Sequence, residues 1–597
     1  MDSEKEVYLP PPQPSSQPPP TQQQPPQKQP LTTLPSISEK EVYLAPPLPP
    51  PQTPPSPQPP RTETSQSTHS SPWSPTPPTP TPSRAQPVRF HLTIATLALL
   101  SFQTTLSLTI VPTALPSIAA TLEARHNYVW VAVGYLLAAN LSLPIGVQLA
   151  AVLGKRDVLL GGVALFMLGS GIAGGARGVG MMVGGRVVQG IGAGVMGGVA
   201  DLVTFDVVPT RERMSYLGVV YAGSGLAVVL GPVVGGALAQ GNWRWVFWLN
   251  LPISAVVVAG VLGGLGLKGR ETEWNEVDWI GLLIWVVFFW GSVIGLVYGL
   301  VTGGTGFAWG DPRIVVSIGV GVLGLAGLCL YRWWVGDFGL PGKMAGDRTS
   351  AAVFGLTFLS SVLMSMVGFF LVVYFQGVRG TSALQAGVSL LPMAIGAVLF
   401  AGLSRALLSK FGAYRPLHAA SFALMAVGFG LFTLLDANSS AAAWVLFQLI
   451  AAAGAGMIIS VTLPAAVVAL SELEFSAVST AHSFARTFGC VWGVVVPSAI
   501  FNSISSRNLD MVILDPDMGA NLRSGAAYGF AGLIHGLKDT LVLENRLEIA
   551  QVYTDSLKTI WWVGLGLSGL GFVLVGLERG LEPRESVEME YGLDQKV

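Results

Sequence analysis

The chain is 597 residues long, 51% hydrophobic and only 11% charged, with 72 glycines and a mean hydropathy of +0.56. Soluble domains carry roughly 25% charge, so this composition excludes one, and 33 Lys+Arg against 34 Asp+Glu gives no electrostatic case for nucleic acid. Cys329 and Cys490 lie far apart inside apolar runs and imply neither a disulfide nor a metal framework.

Residues 1–88 are rich in proline, with stretches such as PLPPPQTPPSPQPP, and hold too little apolar area to offset the entropy of ordering. They read as a disordered tail with polyproline II character. SEKEVYL occurs twice within it, at Ser3–Leu9 and Ser38–Leu44. The repeat is either a short duplication inside low-complexity sequence or a Pro-flanked docking motif for an SH3 or WW domain.

Fourteen apolar segments follow, starting near residues 90, 128, 157, 181, 216, 244, 279, 313, 350, 384, 415, 442, 478 and 557. Runs such as Phe90 to Ala114 and Ile560 to Leu577 approach the ~20 residues that carry a helix across ~30 Å of hydrocarbon. A helix satisfies its own backbone there; the lack of alternation excludes a β-barrel. The lipid bilayer is therefore the solvent. The first run begins too late for a cleavable signal and is expected to be an uncleaved anchor.

With the tail placed in the cytoplasm, the inside loops hold Arg84 and Arg89, Lys155 and Arg156, Arg211 and Arg213, Lys268 and Arg270, Lys343 and Arg348, Lys410 and Arg415, then Arg579 and Arg584. The outside loops hold mostly single cations, Arg125, Arg177, Arg244, Arg313 and Arg379. This asymmetry predicts both termini inside. The sequon Asn438-Ser439-Ser440 then falls outside, a glycosylation candidate at Asn438. So does the longest connection, Asn502 to Ser556, which is polar and mixed and reads as either a lid or a loop.

In segment 4, Arg186 recurs with Gly190, Gly194 and Gly198 at steps of four, which puts a permanent charge and a smooth seam on one helix face. A guanidinium at membrane depth is costly, and small residues let helices approach closely, so the pattern points to a moving, partly hydrated interface. Static packing is the alternative for the glycines, and snorkelling to the membrane edge for Arg186. Segment 5 carries a second ridge, Ala227, Gly231 and Gly235, where Pro232 removes a helical hydrogen bond.

Five patches together resemble the major facilitator superfamily, in its fourteen-helix drug:proton antiporter branch. They are LSLTIVPTALPSIA (Leu106–Ala119), Arg186-Val-Val-Gln189-Gly190-Ile-Gly192-Ala-Gly194, Gly231-Pro232-Val-Val-Gly235-Gly236 with Trp243-Arg244-Trp245-Val-Phe247-Trp248-Leu-Asn250-Leu-Pro252, Tyr374-Phe375-Gln376-Gly377, and Phe484-Ala-Arg486-Thr-Phe488-Gly489. The resemblance implies an all-α membrane protein with the major facilitator fold. It would comprise six-helix bundles at 90–267 and 350–578 (with the external loop 502–556), two inserted helices at 278–335 opening on Asp278-Trp279, and a cytoplasmic tail at 579–597. It implies no cofactor, a small-molecule substrate, and protons as the coupling ion. Two departures stand out. Ser107 occupies the place of an expected acid, and in the loop after segment 2, which ends Gly154-Lys155-Arg156, Val147 and Ala151 replace an expected glycine and aspartate. The missing aspartate weakens a latch or shifts it to other contacts.

Candidate residues for the substrate and proton pathway are Gln103, Ser107, Asn140, Arg186, Gln189 and Asp201. Arg186 is expected to anchor segment 4 to carbonyls of segment 1. It cannot reach Asp201, fifteen residues and roughly 22 Å away along the helix. Asp201 is either the proton carrier or, with Asp206, an interfacial partner of Arg211 and Arg213. Glu472 and Glu474 read as loop residues, and His482 as lying at the mouth of segment 13. Phe369, Phe370 and Tyr374 are placed to stack an apolar solute, with lipid as the alternative for Phe369 and Phe370. A cavity with few charges favours export of hydrophobic drugs, toxins or secondary metabolites, from the plasma membrane or alternatively the vacuolar membrane. The rival readings are a vacuolar basic amino acid transporter, which needs cavity acids, and a transport-dead scaffold or sensor acting through the tail. Nothing marks an enzyme.

Overall fold

The computed structural model describes residues 88–209, 212–265, 279–335, 348–468, 475–509, 526–537 and 543–579. The expectations placed on 1–87, Arg211, Lys268, Arg270, Asp278, Lys343, Glu472, Glu474 and 580–597 lie outside them. Among the described residues, fourteen helices are long and apolar enough to cross a membrane. They are α1 (Val88–Thr109), α2 (Arg125–Leu153), α3 (Lys155–Gly174), α4 (Val179–Val207), α5 (Ser215–Gly241), α6 (Trp245–Gly264), α7 (Gly281–Thr302), α8 (Pro312–Tyr331), α9 (Arg348–Val378), α10 (Ala383–Phe411), α11 (Arg415–Phe432), α12 (Ala441–Val467), α13 (Val478–Leu509) and α14 (Asn545–Val575).

Helices α1–α6 pack on one another, chiefly α2 and α3 on α4 and α1 on α5; α9–α14 pack likewise, chiefly α10 and α11 on α12, α9 on α13 and α11 on α14. Without a hydrophobic drive between helices in lipid, close packing does the work, and small residues provide it. An added Cβ on Gly194 would lie 2.0 Å from the Ala139 carbonyl oxygen of α2, and one on Gly190 2.4 Å from that of Tyr135. Aromatic side chains fill the second bundle, where Trp561 of α14 meets Phe429 and Phe432 of α11 at 6.0 and 5.3 Å between centroids. The inserted helices pair with each other, α7 on α8, and rest on the second bundle, where Phe289 and Trp290 of α7 meet Phe484 and Phe488 of α13. On α8, Val316 and Leu323 stay exposed, as a lipid-facing helix would have them.

Two boundaries differ from the sequence reading. The first apolar run is two helices, α1 and a second one at Val111–Thr121, joined at Ile110; Pro112 at the start of the second has no N–H to continue the ladder. The polar stretch 502–556 is largely helix at both ends, since α13 runs to Leu509 and α14 begins at Asn545. Its hydroxyls bond to carbonyls one turn back, as Thr554 does to Ala550 and Ser556 to Val552, at 2.7 Å each. Polar composition there does not mean loop, because the helix itself satisfies the side chains.

Candidate site between the two bundles

The segment 4 motif folds inward on its own bundle. Arg186 is buried. Its Nε donates to the Val131 carbonyl of α2 at 3.0 Å and its Nη1 to Gln189 Oε1 at 2.6 Å. The guanidinium lies 4.1 Å from the Tyr135 ring centroid and 5.8 Å from that of Phe247. Gln189 in turn donates to Ser170 Oγ of α3 at 2.8 Å. The carbonyl that holds Arg186 thus belongs to the second span rather than the first; α1 is reached only through Tyr135, whose hydroxyl donates to the Thr104 carbonyl at 3.2 Å. Burial with these partners removes the snorkelling reading.

Gln103 and Ser107 form a separate cluster. Gln103 Nε2 donates to the Asn250 carbonyl at 2.9 Å and to Ser254 Oγ, and Ser107 Oγ donates to Asn250 Oδ1 at 3.1 Å. Both α1 side chains therefore face α6. Where an acid is expected, Ser107 bonds the neutral amide of Asn250.

Asn140 and Asp201 do lie between the bundles. Asn140 Nδ2 donates to the Phe484 carbonyl of α13 at 3.1 Å, and its Oδ1 is buried without a partner. Asp201 accepts from Tyr221 of α5 at 3.1 Å on one oxygen and from Ser479 of α13 at 3.4 Å on the other. Arg486, an exposed guanidinium within α13, acts on that carboxylate through space. This corrects the expected pairing with Arg213, which instead donates to the Val208 carbonyl at 3.3 Å. Asp206 pairs with Lys155 at 2.6 Å. With Ala151 in place of the aspartate, this pair is the ionic tie between the α2–α3 turn and α4. Gly154, at φ +97°, supplies the turn where a side chain would strain the backbone. Lys155 and Arg156 follow it into α3.

The bundles also meet at the opposite end. Tyr128 donates to Asn502 Oδ1 at 3.3 Å and Gln376 Nε2 to the Thr113 carbonyl at 3.0 Å. Of the segment 5 motif, Gly231 and Gly235 face α1 at Thr109 and Ile110, whereas Gly236 faces Ala383 of α10, and the Pro232 carbonyl faces Gly387. The small-residue crossing between bundles is thus α5 on α10. Gly198 packs on Leu143 and Val147 of α2. Phe369, Phe370 and Tyr374 are buried, so lipid is not what they face. Tyr374 donates to the Asp436 carbonyl at 2.9 Å, and Phe370 meets Tyr528 edge-on. His482 is buried, with Nε2 3.0 Å from Thr462 Oγ1, rather than lying at a mouth. Asn438 is exposed in the turn between α11 and α12. Tyr221 and Ser479 are participants that the sequence reading leaves out, and Asn250 and Arg486 stand in it only as members of motif patches; of the four, Arg486, a charge inside an apolar run, carries a signal that marks it in advance.

A family model described as Major Facilitator Superfamily matches residues 97–497. The chain belongs to that superfamily. It is 37% identical over 520 residues to the MFS-type transporter ucsD of Acremonium sp, covering 86% of this chain and 87% of that one. It is 36% identical over 519 residues to the MFS efflux transporter aclA of Aspergillus oryzae, covering 85% and 92%. Among solved structures, the bacterial Spinster homologue in its inward-facing, unoccupied conformation aligns with TM-score 0.53 at 13% identity, over 83% of this chain and 98% of that one, a likeness of fold. As a superfamily member this is a multi-pass membrane transporter.

Proposed function

We propose that this transporter exports hydrophobic drugs, toxins or secondary metabolites across the plasma membrane by alternating access, in exchange for protons, with both termini and the Lys155 end in the cytoplasm. The observation that carries the reading is the contact between bundles: a few hydrogen bonds at each end (Asp201–Ser479 and Tyr128–Asn502), one at mid-depth (Asn140–Phe484), and a small-residue crossing at Gly236. Hydrogen bonds grouped at the two ends can part at one end while holding at the other, and the smooth α5–α10 crossing lets the bundles turn between them, which is what rocking of two repeats about a shared site requires. The efflux named for the relatives gives the direction. Between the bundles the described residues place one carboxylate, Asp201, and mostly apolar or amide side chains, a lining suited to apolar cargo rather than to basic amino acids. Transport of protons calls for a titratable group whose environment differs between the two states, a role that Asp201 can fill.

The test is a panel of toxic compounds and labelled amino acids offered to transporter-deficient cells expressing the chain. Lower accumulation of apolar compounds, abolished by a proton uncoupler, is expected. Accumulation of basic amino acids instead, or of nothing, contradicts it.

A further inference from the structure

Ser107 and Ala151 stand where the resemblance leads one to expect acids, yet a carboxylate is buried where α4, α5 and α13 meet. Asp201 belongs to the first bundle together with Tyr221, which bonds one of its oxygens at 3.1 Å. Ser479, bonded to the other at 3.4 Å, belongs to the second bundle, as do Arg486 and Ser483, which also act on it. Three of these four partners are thus lost whenever the bundles separate at this end.

We propose that Asp201 is a proton-operated latch: unprotonated, it holds the Lys155 end closed against Ser479 and Arg486, and protonated, it lets that end open. This rests on the proton-exchange reading above. The proton adds to a carboxylate oxygen and leaves it neutral, so the attraction to Arg486 vanishes and one acceptor is lost. Once the end has parted, the proton leaves to the compartment on that side and the carboxylate is restored. Charge state and conformation are then coupled reciprocally, with no acid needed in α1. The titratable and charged groups around Asp201 are few. Tyr221 comes from α5, and Arg486 comes from α13 with His482, which Arg486 also influences. Arg405 of α10 approaches Gly218, one turn from Tyr221. Between Leu136 and Leu153, α2 carries no titratable side chain.

The test needs no cargo, so its failure leaves the export reading standing, and failure of that reading leaves this one measurable. In a chain carrying Cys329→Ser, Cys490→Ser and the reporter Gly218→Cys, which faces Arg405 of the other bundle at the same end and is no partner of Asp201, purified into lipid nanodiscs, N-ethylmaleimide labelling is timed between pH 5 and 8 with and without Asp201→Asn. The ratio of rates at each pH cancels the thiol's own chemistry. Labelling of the Asn form should be about tenfold faster at pH 8, a coupling of ordinary size, and the ratio should fall to about one at pH 5. Tyr221→Phe, which removes a hydrogen bond to the charged form, should move the midpoint to higher pH and serves if Asp201→Asn does not fold. A ratio that stays constant with pH, at one or above it, overturns the latch, as does an unmoved midpoint in Tyr221→Phe.

Discussion

Arg186 shows how a costly charge is kept at membrane depth. It is held by one carbonyl, one amide and the Tyr135 and Phe247 rings, all within its own bundle. Its role follows as a fastener of α4 to α2, which acts on transport by keeping the first bundle rigid. Hydrogen bonds to a charged group contribute about 1.5–3 kcal/mol. Arg186→Ala should therefore lower the melting temperature in detergent by an amount corresponding to about 2 kcal/mol or more, and reduce efflux with it. An Arg186→Ala protein that melts like wild type and is transported to the surface with undiminished efflux contradicts this assignment. Lys155 and Asp206 contrast with it. Their side chains are 16% and 30% exposed, so the pair contributes at most about 1 kcal/mol and is screened by salt. Asp206→Asn should change the melting temperature little at high salt; a loss as large as that of Arg186→Ala would show that the tie is buried in function, if not in area.

At the scale of helices, glycine decides which pairs are fixed and which can part. The α2–α4 contact is so close that a methyl on Gly194 would meet a carbonyl oxygen at 2.0 Å. Gly194→Ala should force the helices apart and lower the yield of folded protein severalfold, read by fluorescence size-exclusion; normal yield and melting contradict the packing. At Gly197 nothing lies within 4 Å, so Gly197→Ala is the matched control and should be silent. The inserted α7–α8 pair meets α13 through an aromatic cluster, Phe289 and Trp290 against Phe484 and Phe488.

For the whole molecule, hydropathy alone made the count of fourteen spans legible, because twenty apolar residues have few other uses, and the motif order made the superfamily legible. What the sequence could not disclose was which face each motif residue presents. Gln103 and Arg186 read alike as pathway residues, yet one turns to α6 and the other to α2, since helical phase says nothing about which neighbour stands there. Asp201 was visible as an acid in an apolar segment, either proton carrier or interfacial partner of arginines, but its partner Ser479 on α13 lies 278 residues away in sequence and no local pattern carries it. The stretch 502–556 misled because hydroxyls satisfied within a helix look like loop composition. Deleting residues 1–86 separates the bundle from the tail as the working part: efflux should be retained, and its loss would transfer the function to the tail.

Alternating access between the two bundles is tested most directly by fixing one end at a time. Cysteines at Gly218 and Arg405, which bridge α5 and α10 near the Lys155 end, or at Tyr128 and Asn502 at the other, would be joined by a short thiol cross-linker in a chain lacking Cys329 and Cys490. Either cross-link should stop efflux of a compound identified in the panel, with each uncross-linked double mutant still active. Undiminished efflux with both ends locked would contradict the account.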